Sequence, residues 1–278
     1  MKRFFIALLF VIVCSCSPKL RSNIFKKLPE LPENELVVVL DIYDEQGISE
    51  DPIGEIKAVD NGLSNNCSYY ENIHNLKILA RKVGANLIKL TKHKRADKWS
   101  TCDRLWAKIY KVSQVKKYEK EIEWSPDRKL IWDDFKGIPN IENFPKALAV
   151  TNSAIIFEPS SINPFKDGKL FVRTVFINHG SWVLPKGKSD YVLRHEQIHF
   201  DITEIYSRML RKVFSDANVS MKNSSKAMSI FHDIKKQWQD RQEEYDYETQ
   251  RGDKKEVQEK WEAIVELELD KYDLYKTN

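Results

Sequence analysis

The sequence predicts an α+β protein in which a small α/β domain is followed by a larger domain whose strands precede its helices. A β-branched run at 36–42 is followed by apolar residues at helical spacing over 69–83. Further on, strand-like segments at 147–157 and 170–177 precede a helical pattern from Asp190 onward. The 278 residues are 42% hydrophobic and 31% charged, which excludes a disordered or collagen-like chain and allows one or two domains.

The N-terminus has the features of an export signal. Two cations precede an apolar run at 4–13, which is about 15 Å long as a helix and too short to cross a bilayer. Residues 1–15 are therefore predicted to be a signal peptide. The residues that end at Cys16 resemble the lipoprotein box of bacteria, and this resemblance implies lipidation of Cys16 and a place in the bacterial cell envelope. Cleavage by an ordinary signal peptidase is the alternative.

The first domain is predicted at 35–115, behind a linker at 16–34 that is polar and contains prolines. Its two cysteines, Cys67 and Cys102, form an even pair in an exported chain, so a disulfide between them is expected. Two buried thiols are the alternative.

The order of elements in this domain is strand, helix, strand, strand. Gly84 is placed to end the helix, and 86–90 and 105–112 alternate as strands do. The Gly84-Ala85-Asn86 step after the helix, together with the two cysteines, resembles the small disulfide-braced domain of the Rcs-type envelope-stress lipoproteins. The resemblance implies a binding or sensing module.

A second domain, predicted at 120–278, begins after a charged stretch and ends in three helices, at about 190–214, 224–250 and 254–275. The net charge is only +4, and basic residues alternate with acidic ones along the chain. Because no stripe of one sign is visible, no nucleic-acid partner is predicted. The oligomeric state is left open.

The most informative motif is HExxH, formed by His195, Glu196 and His199 on the first of these helices. At 100° per residue the two histidines lie about 40° apart and one turn along, so both imidazoles can bind one Zn²⁺. Glu196 points to a different side and can reach a water molecule on the metal as general base.

A catalytic zinc site needs a third protein ligand and one open position. Asp201 and Glu204 lie on other faces of a regular helix, so Asp201 is expected to orient another polar group instead. A later helix must supply the ligand, and the acidic segment at 243–249 offers Asp246 first and Glu248 second. A solvated helix face is the alternative interpretation of that segment.

Several segments of the second domain resemble the bacterial family described as predicted secreted zinc-dependent proteases, otherwise of unknown function. They are 124–126, 130–139, 147–151, 181–182, 195–204 and 245–249, with Gln258 and Trp261. The resemblance covers about 120–275 and implies a zincin-like domain, with an antiparallel sheet and the HExxH helix packed against further helices. Arg251 departs from the family, whose members have histidine there, and an arginine can stabilise an oxyanion but cannot bind zinc.

The sequence therefore predicts a membrane-anchored zinc metallopeptidase that hydrolyses a peptide or protein substrate, with the strand at 172–177 binding an extended peptide by edge pairing. The rival hypothesis is a non-catalytic envelope sensor or binding lipoprotein with a degenerate metal site. A purely structural zinc would require four protein ligands.

Overall fold

The structure is a computed structural model that describes residues 18–60, 67–97, 99–100, 102–159 and 170–276. The predicted signal peptide and Cys16 lie outside the described residues. The chain divides into two compact units, at residues 1–113 and 114–278. Mixed α and β structure with sheets and four α-helices confirms the predicted class at that level.

The first unit is built on a five-stranded sheet with one α-helix. Its elements are β1 (Lys19–Ile24), β2 (Val38–Leu40), β3 (Gly54–Val59), α1 (Tyr69–Lys82), β4 (Leu87–Lys94) and β5 (Arg104–Tyr110). The strand order is β1-β3-β5-β4-β2, with β2 parallel to β4 and the other pairs antiparallel. One face of the sheet packs on α1 through buried aliphatic side chains.

The predicted helix of this unit has the expected ends. Ser68 and Glu71 form a capping box at its start. After its last turn Gly84 has a φ of +82°, and a Cβ there would lie 2.5 Å from Leu28 Cβ. Only glycine meets both conditions. The predicted disulfide is confirmed, with Cys67 and Cys102 bonded and their Cα atoms 5.0 Å apart.

The linker prediction is wrong for Lys19–Ile24, which form the strand β1 and pair antiparallel with β3. The segment after it also packs on the unit, because the Leu28 and Leu31 amides donate to the carbonyls of Val83 and Arg81. A polar sequence suits an edge strand with solvent on one face, and its backbone groups satisfy those of β3.

The second unit combines short strands with three long helices. Its strands are β6 (Glu121–Glu123), β7 (Ala149–Val150), β8 (Ser153–Pro159), β9 (Leu170–Ile177) and β10 (Trp182–Val183). Its helices are α2 (Asp190–Asp216), α3 (Ser224–Thr249) and α4 (Lys255–Lys271). The helix starts lie within one residue of the predicted positions. None of the helices in the described part of the chain has the length and apolar character of a membrane span.

Strand β9 is the middle strand of the sheet β6-β9-β8. It pairs with β8 along its length and with β6 from Val175 to Ile177. The expectation that an extended peptide pairs with residues 172–177 is therefore wrong for Val175–Ile177, because β8 and β6 already use the backbone groups on both sides of these residues. For residues 172–174 it stays a prediction.

Helix α2 lies at the centre of this unit. Its apolar residues belong to three hydrophobic clusters: one with β8, β9 and α3, a second with α3 and α4, and a third with β6, β9 and the loop after β6. Because α2 is covered on several sides, polar residues on it are buried as well. His195, Glu196, Glu204 and Arg208 are each at most 5% exposed.

Candidate metal centre

Three side chains from two helices meet at one point. His195 and His199 lie one turn apart on α2, and Asp246 reaches them from the last turn of α3. The ligand-type atoms are Nε2 of both histidines and Oδ1 of Asp246. The two Nε2 atoms are 3.2 Å apart, and they lie 3.3 Å and 3.2 Å from the Asp246 oxygen.

This near-equilateral triangle has the size of one face of a zinc tetrahedron. Bonds of about 2.0 to 2.1 Å at tetrahedral angles place two ligand atoms roughly 3.3 to 3.4 Å apart. Two imidazoles and one carboxylate are ligand types that zinc prefers. The residues present therefore fit a zinc ion. The Asp246 side chain is 41% exposed, so solvent reaches the cluster from that side.

The second nitrogen of each imidazole is held by a glutamine. His199 Nδ1 lies 2.6 Å from Gln242 Oε1, and His195 Nδ1 lies 3.3 Å from Gln258 Oε1. The Gln242 amide nitrogen donates to the His199 carbonyl and to Thr203 Oγ1, which fixes its oxygen as the acceptor. The Gln258 amide nitrogen donates to the Tyr191 carbonyl, which leaves its oxygen as the acceptor as well. With both Nδ1 atoms as donors, each Nε2 is the atom that would bind a metal, after giving up the proton that it shares with Asp246 in the metal-free chain.

The charges of the cluster reinforce one another. Burial lowers the pKa of His199, but its hydrogen bond to Asp246 and the negative charge there outweigh burial, so the pKa is raised overall. Burial raises the pKa of Asp246, but hydrogen bonds from His195 and His199 hold it well below its usual range. Asp246 is thus a carboxylate at neutral pH, as a metal ligand must be.

Glu196 lies beside this triangle on α2 and does not belong to it. It is 3% exposed, and its Oε2 has no hydrogen-bond partner among the described residues. Leaving a buried carboxylate oxygen without a partner costs at least about 1 to 3 kcal/mol. Such a group is retained where it has a chemical task.

Tyr245 packs the two histidines into place. Its ring stacks on His195 at 4.7 Å between centroids and meets His199 edge-on at 4.9 Å. The residue is fully buried, and its hydroxyl has no partner in the described part of the chain. Burial, with the charge of Glu196 as the next cause, raises the pKa of this hydroxyl, so it stays a neutral donor.

A tight turn after α3 closes one side of the site. Gln250 and Arg251 have φ values of 50° and 57°, and Gly252 follows at 88°. The Arg251 amide donates to the Asp246 carbonyl, and the hydroxyl of Tyr191 donates to the Gly252 carbonyl. A Cβ on Gly252 would lie 3.5 Å from His195 Nδ1. The turn therefore holds the backbone that carries Asp246 against the histidines.

The other predicted residues lie apart from the triangle. Asp201 accepts hydrogen bonds from the Trp124 indole and the Gln197 amide, which suits an orienting role. Burial raises its pKa. Glu248 accepts from the Trp261 indole and does not reach the cluster. The side chain of Arg251 is exposed.

Three side chains that hold the histidines were not predicted in that role from the sequence. Gln258 and Tyr245 stood in the segments that resemble a family, but without a role, and Gln242 was not singled out. Gln242 lies four residues before Asp246, so both face α2 from one side of α3. That spacing was the available signal for Gln242.

Of the comparisons with known proteins, one gives a match, and that match contains the residues of this site. No curated protein and no solved structure matches the chain. The helix α2 with both histidines, the turn after α3, and Asp246 all fall within one matched segment. Residues 182–265 match the family described as "Bacterial protein of unknown function (DUF922)".

Proposed function

We propose that this chain is a zinc-dependent metallopeptidase of the bacterial cell envelope, with a zincin-like second unit and a lipid anchor at Cys16. The observation that carries the proposal is the pairing of a three-ligand triangle with a buried carboxylate oxygen on Glu196 that has no hydrogen-bond partner among the residues that the structure describes. Hydrolytic zinc sites combine these two features: three protein ligands with one open position, and a general base that is not a ligand.

In this proposal His195, His199 and Asp246 hold the metal. A bound zinc ion supplies Lewis acidity, which polarises a carbonyl and makes water a better acid. Glu196 accepts a proton from the attacking water as the water oxygen bonds to the carbonyl carbon of the peptide. It returns the proton to the leaving nitrogen as the carbon–nitrogen bond breaks.

Three further side chains have supporting roles. Gln242 and Gln258 fix the tautomer and the ring orientation of the histidines through their Nδ1 atoms. Arg251 is the group we assign to the oxyanion, because it precedes Gly252 in the turn beside His195 and a guanidinium can stabilise negative charge on oxygen.

The same observations weigh against a purely structural zinc. Structural sites close the coordination shell with four protein ligands. Within the described ranges only three such groups converge, and Asp246 leaves the cluster open to solvent.

A non-catalytic sensor or binding lipoprotein is the second candidate. One observation favours it: a catalytic role for Arg251 needs a defined side-chain position, and this residue is exposed. In that case the ligands and Glu196 would remain without turnover.

Cleavage of a broad peptide library by the zinc-loaded chain, beside its Glu196→Gln variant, separates the two candidates. We expect cleavage by the wild type, loss of at least about 100-fold in the variant, and inhibition by a chelator. Zinc binding without any cleavage by the wild type would reject the peptidase and leave the binding lipoprotein.

A further inference from the structure

The sheet of the first unit has one face that α1 does not cover, and much of it is basic. Strand register places Arg21, Lys57, Trp106 and Lys92 side by side across β1, β3, β5 and β4. In β3 and β5 the residues on either side of Lys57 and Trp106 are aliphatic and belong to the core that packs on α1. Successive side chains of a strand point to opposite faces, so the four residues of this row share the face away from α1.

We call this surface the basic face. It consists of Trp106 with the cations Lys19, Arg21, Lys57, Lys92, Lys94 and Lys108. Among the described residues of these strands, Glu55 is the one acid on the same face, and it lies opposite Lys108. Lys57 and Trp106 are partly buried, and the other cations are exposed.

The stability of the fold does not account for this arrangement. Like charges directly opposite each other destabilise an antiparallel pair, and Arg21 lies opposite Lys57. A cation on β1 protects an edge strand from pairing with other chains, but β3 and β4 are interior strands and need no such protection. The pairing of Arg21 with Lys57 therefore costs stability, and the contact of Lys92 with the Trp106 ring offsets this cost only in part.

The face also has a cavity with an amphipathic floor. A depression of about 300 Å³ lies over it, lined among others by Arg21, Lys57, Trp106 and Lys108. Lys92 Nζ lies 5.1 Å from the centroid of the Trp106 ring. A tryptophan surrounded by cations is suited to an interface that is both anionic and partly apolar, as the headgroup region of a membrane is.

We propose that the basic face binds the anionic headgroups of a phospholipid membrane. Charge complementarity is one argument. The second is chain length: β1 begins three residues after Cys16, and three residues span at most about 11 Å. If Cys16 carries the lipid, as the sequence predicts, the start of this strand at Lys19 must lie within that distance of the bilayer surface, and Arg21 within about 18 Å. This proposal is independent of zinc and of peptidase activity.

Vesicle co-sedimentation tests the proposal with a chain that begins at Ser17, which has no lipid and retains every described residue. The vesicles contain phosphatidylcholine alone or phosphatidylcholine mixed with anionic phosphatidylglycerol. We expect binding to the anionic vesicles only, and weaker binding as salt is added.

The variant Arg21→Gln/Lys57→Gln/Lys92→Gln should bind anionic vesicles at least about tenfold more weakly, because each basic residue near the surface contributes to attraction. The matched control removes three exposed lysines from the helices of the second unit, through Lys235→Gln/Lys236→Gln/Lys260→Gln. It has the same net charge as the first variant and should bind like the wild type.

Equal loss in the two variants would overturn the proposal, because attraction would then depend on total charge and not on this face. Equal binding to neutral and anionic vesicles would also overturn it. Tighter binding to duplex DNA than to anionic vesicles would reject the membrane as the partner.

Discussion

Two buried glutamates on the same helix have opposite surroundings. Glu204 is 1% exposed and Glu196 is 3% exposed. Glu204 accepts hydrogen bonds from Arg208 and Arg211 on one oxygen, and from Thr174 on the other. In contrast, Oε2 of Glu196 has no partner in the described structure.

The difference separates a structural charge from a chemical one. The carboxylate of Glu204 neutralises a buried arginine and connects α2 to β9 through Thr174. Its removal would leave that arginine with Asp273, whose side chain is 55% exposed, as its remaining counter-charge. Oε2 of Glu196 has no such partner among the described residues, and the charge of Glu196 acts on His199 in the neighbouring cluster of metal-ligand type, where it raises the pKa of that histidine. Burial alone would not have distinguished them, whereas hydrogen-bond satisfaction does.

The largest expected effect is on turnover. Glu196→Gln removes the proton acceptor and keeps the side-chain volume, so hydrolysis should fall by about 100-fold to 10,000-fold. Zinc stoichiometry should stay the same, because Glu196 is not in the triangle. Peptide cleavage rates with elemental analysis of the same samples check both statements. Loss of zinc in this variant would contradict the assignment of Glu196 as a non-ligand.

The matched substitution at Glu204 should act on stability. Glu204→Gln leaves Arg208, which is 3% exposed, with only the exposed carboxylate of Asp273, at 3.7 Å, as a counter-charge. We expect the free energy of unfolding to fall by about 3 to 5 kcal/mol. Urea denaturation of this variant and of Glu196→Gln measures the contrast, and equal destabilisation by the two substitutions would remove the distinction between the two glutamates.

A smaller effect is expected outside the ligands. Gln242→Leu removes the acceptor that holds His199 Nδ1–H, so zinc affinity should fall by about 10-fold to 100-fold. Gln237→Leu changes an exposed glutamine on the same helix and serves as control. Competition with a fluorescent chelator measures both variants. An unchanged affinity in Gln242→Leu would show that the glutamine does not position the histidine.

The smallest effect is a pH dependence of metal binding. Zinc must displace any proton on His199, whose pKa is raised in the metal-free protein by Asp246 against the effect of burial. Zinc affinity should therefore decrease by up to about tenfold per pH unit as pH falls through this raised pKa, and His199 should add no dependence above it. Titrations at several pH values check this, and a decrease that begins only well below pH 6 would contradict the raised pKa.

The same raised pKa predicts the sign of a stability change in the metal-free chain. A group whose pKa is higher in the folded state contributes stability below its unfolded pKa and loses that contribution as pH rises through the folded value. The interaction of protonated His199 with Asp246 should therefore stabilise the metal-free second unit fully below about pH 6.5, the ordinary histidine value, and this contribution should fade as pH rises through the raised pKa. Urea denaturation of the metal-free chain at several pH values measures this.

Sequence patterns predicted the helices of the second unit well because α2 and α3 begin at recognisable signals. Ser189 and the Asn223-Ser224 step stand where helices usually begin, and long apolar periodicity follows them. Strand β1 was missed because six mostly polar residues have no periodicity of their own. That strand is defined by the unpaired backbone of β3, which is a tertiary property.

The candidate metal ligands that lie close together in the sequence were easier to predict than the one that comes from another helix. His195 and His199 follow from spacing within one helix. Asp246 was reached by excluding residues on the wrong faces and by the acidic segment on a later helix. Residues two apart in a helix lie on different sides, so only one of Asp246 and Glu248 can face α2. Which of them does depends on how α3 packs on α2, and the sequence does not show this packing. The glutamine partners depend on the same packing.

Zinc content is the measurement that tests the central claim most directly. The purified chain, His195→Ala, Asp246→Asn and the exposed control Asp240→Asn are compared by elemental analysis after removal of loosely bound metal. We predict one zinc per chain in the wild type and the control, and loss in the two ligand variants. A wild type without stoichiometric zinc, or a His195→Ala variant that keeps it, would contradict the assignment of this triangle as a metal centre.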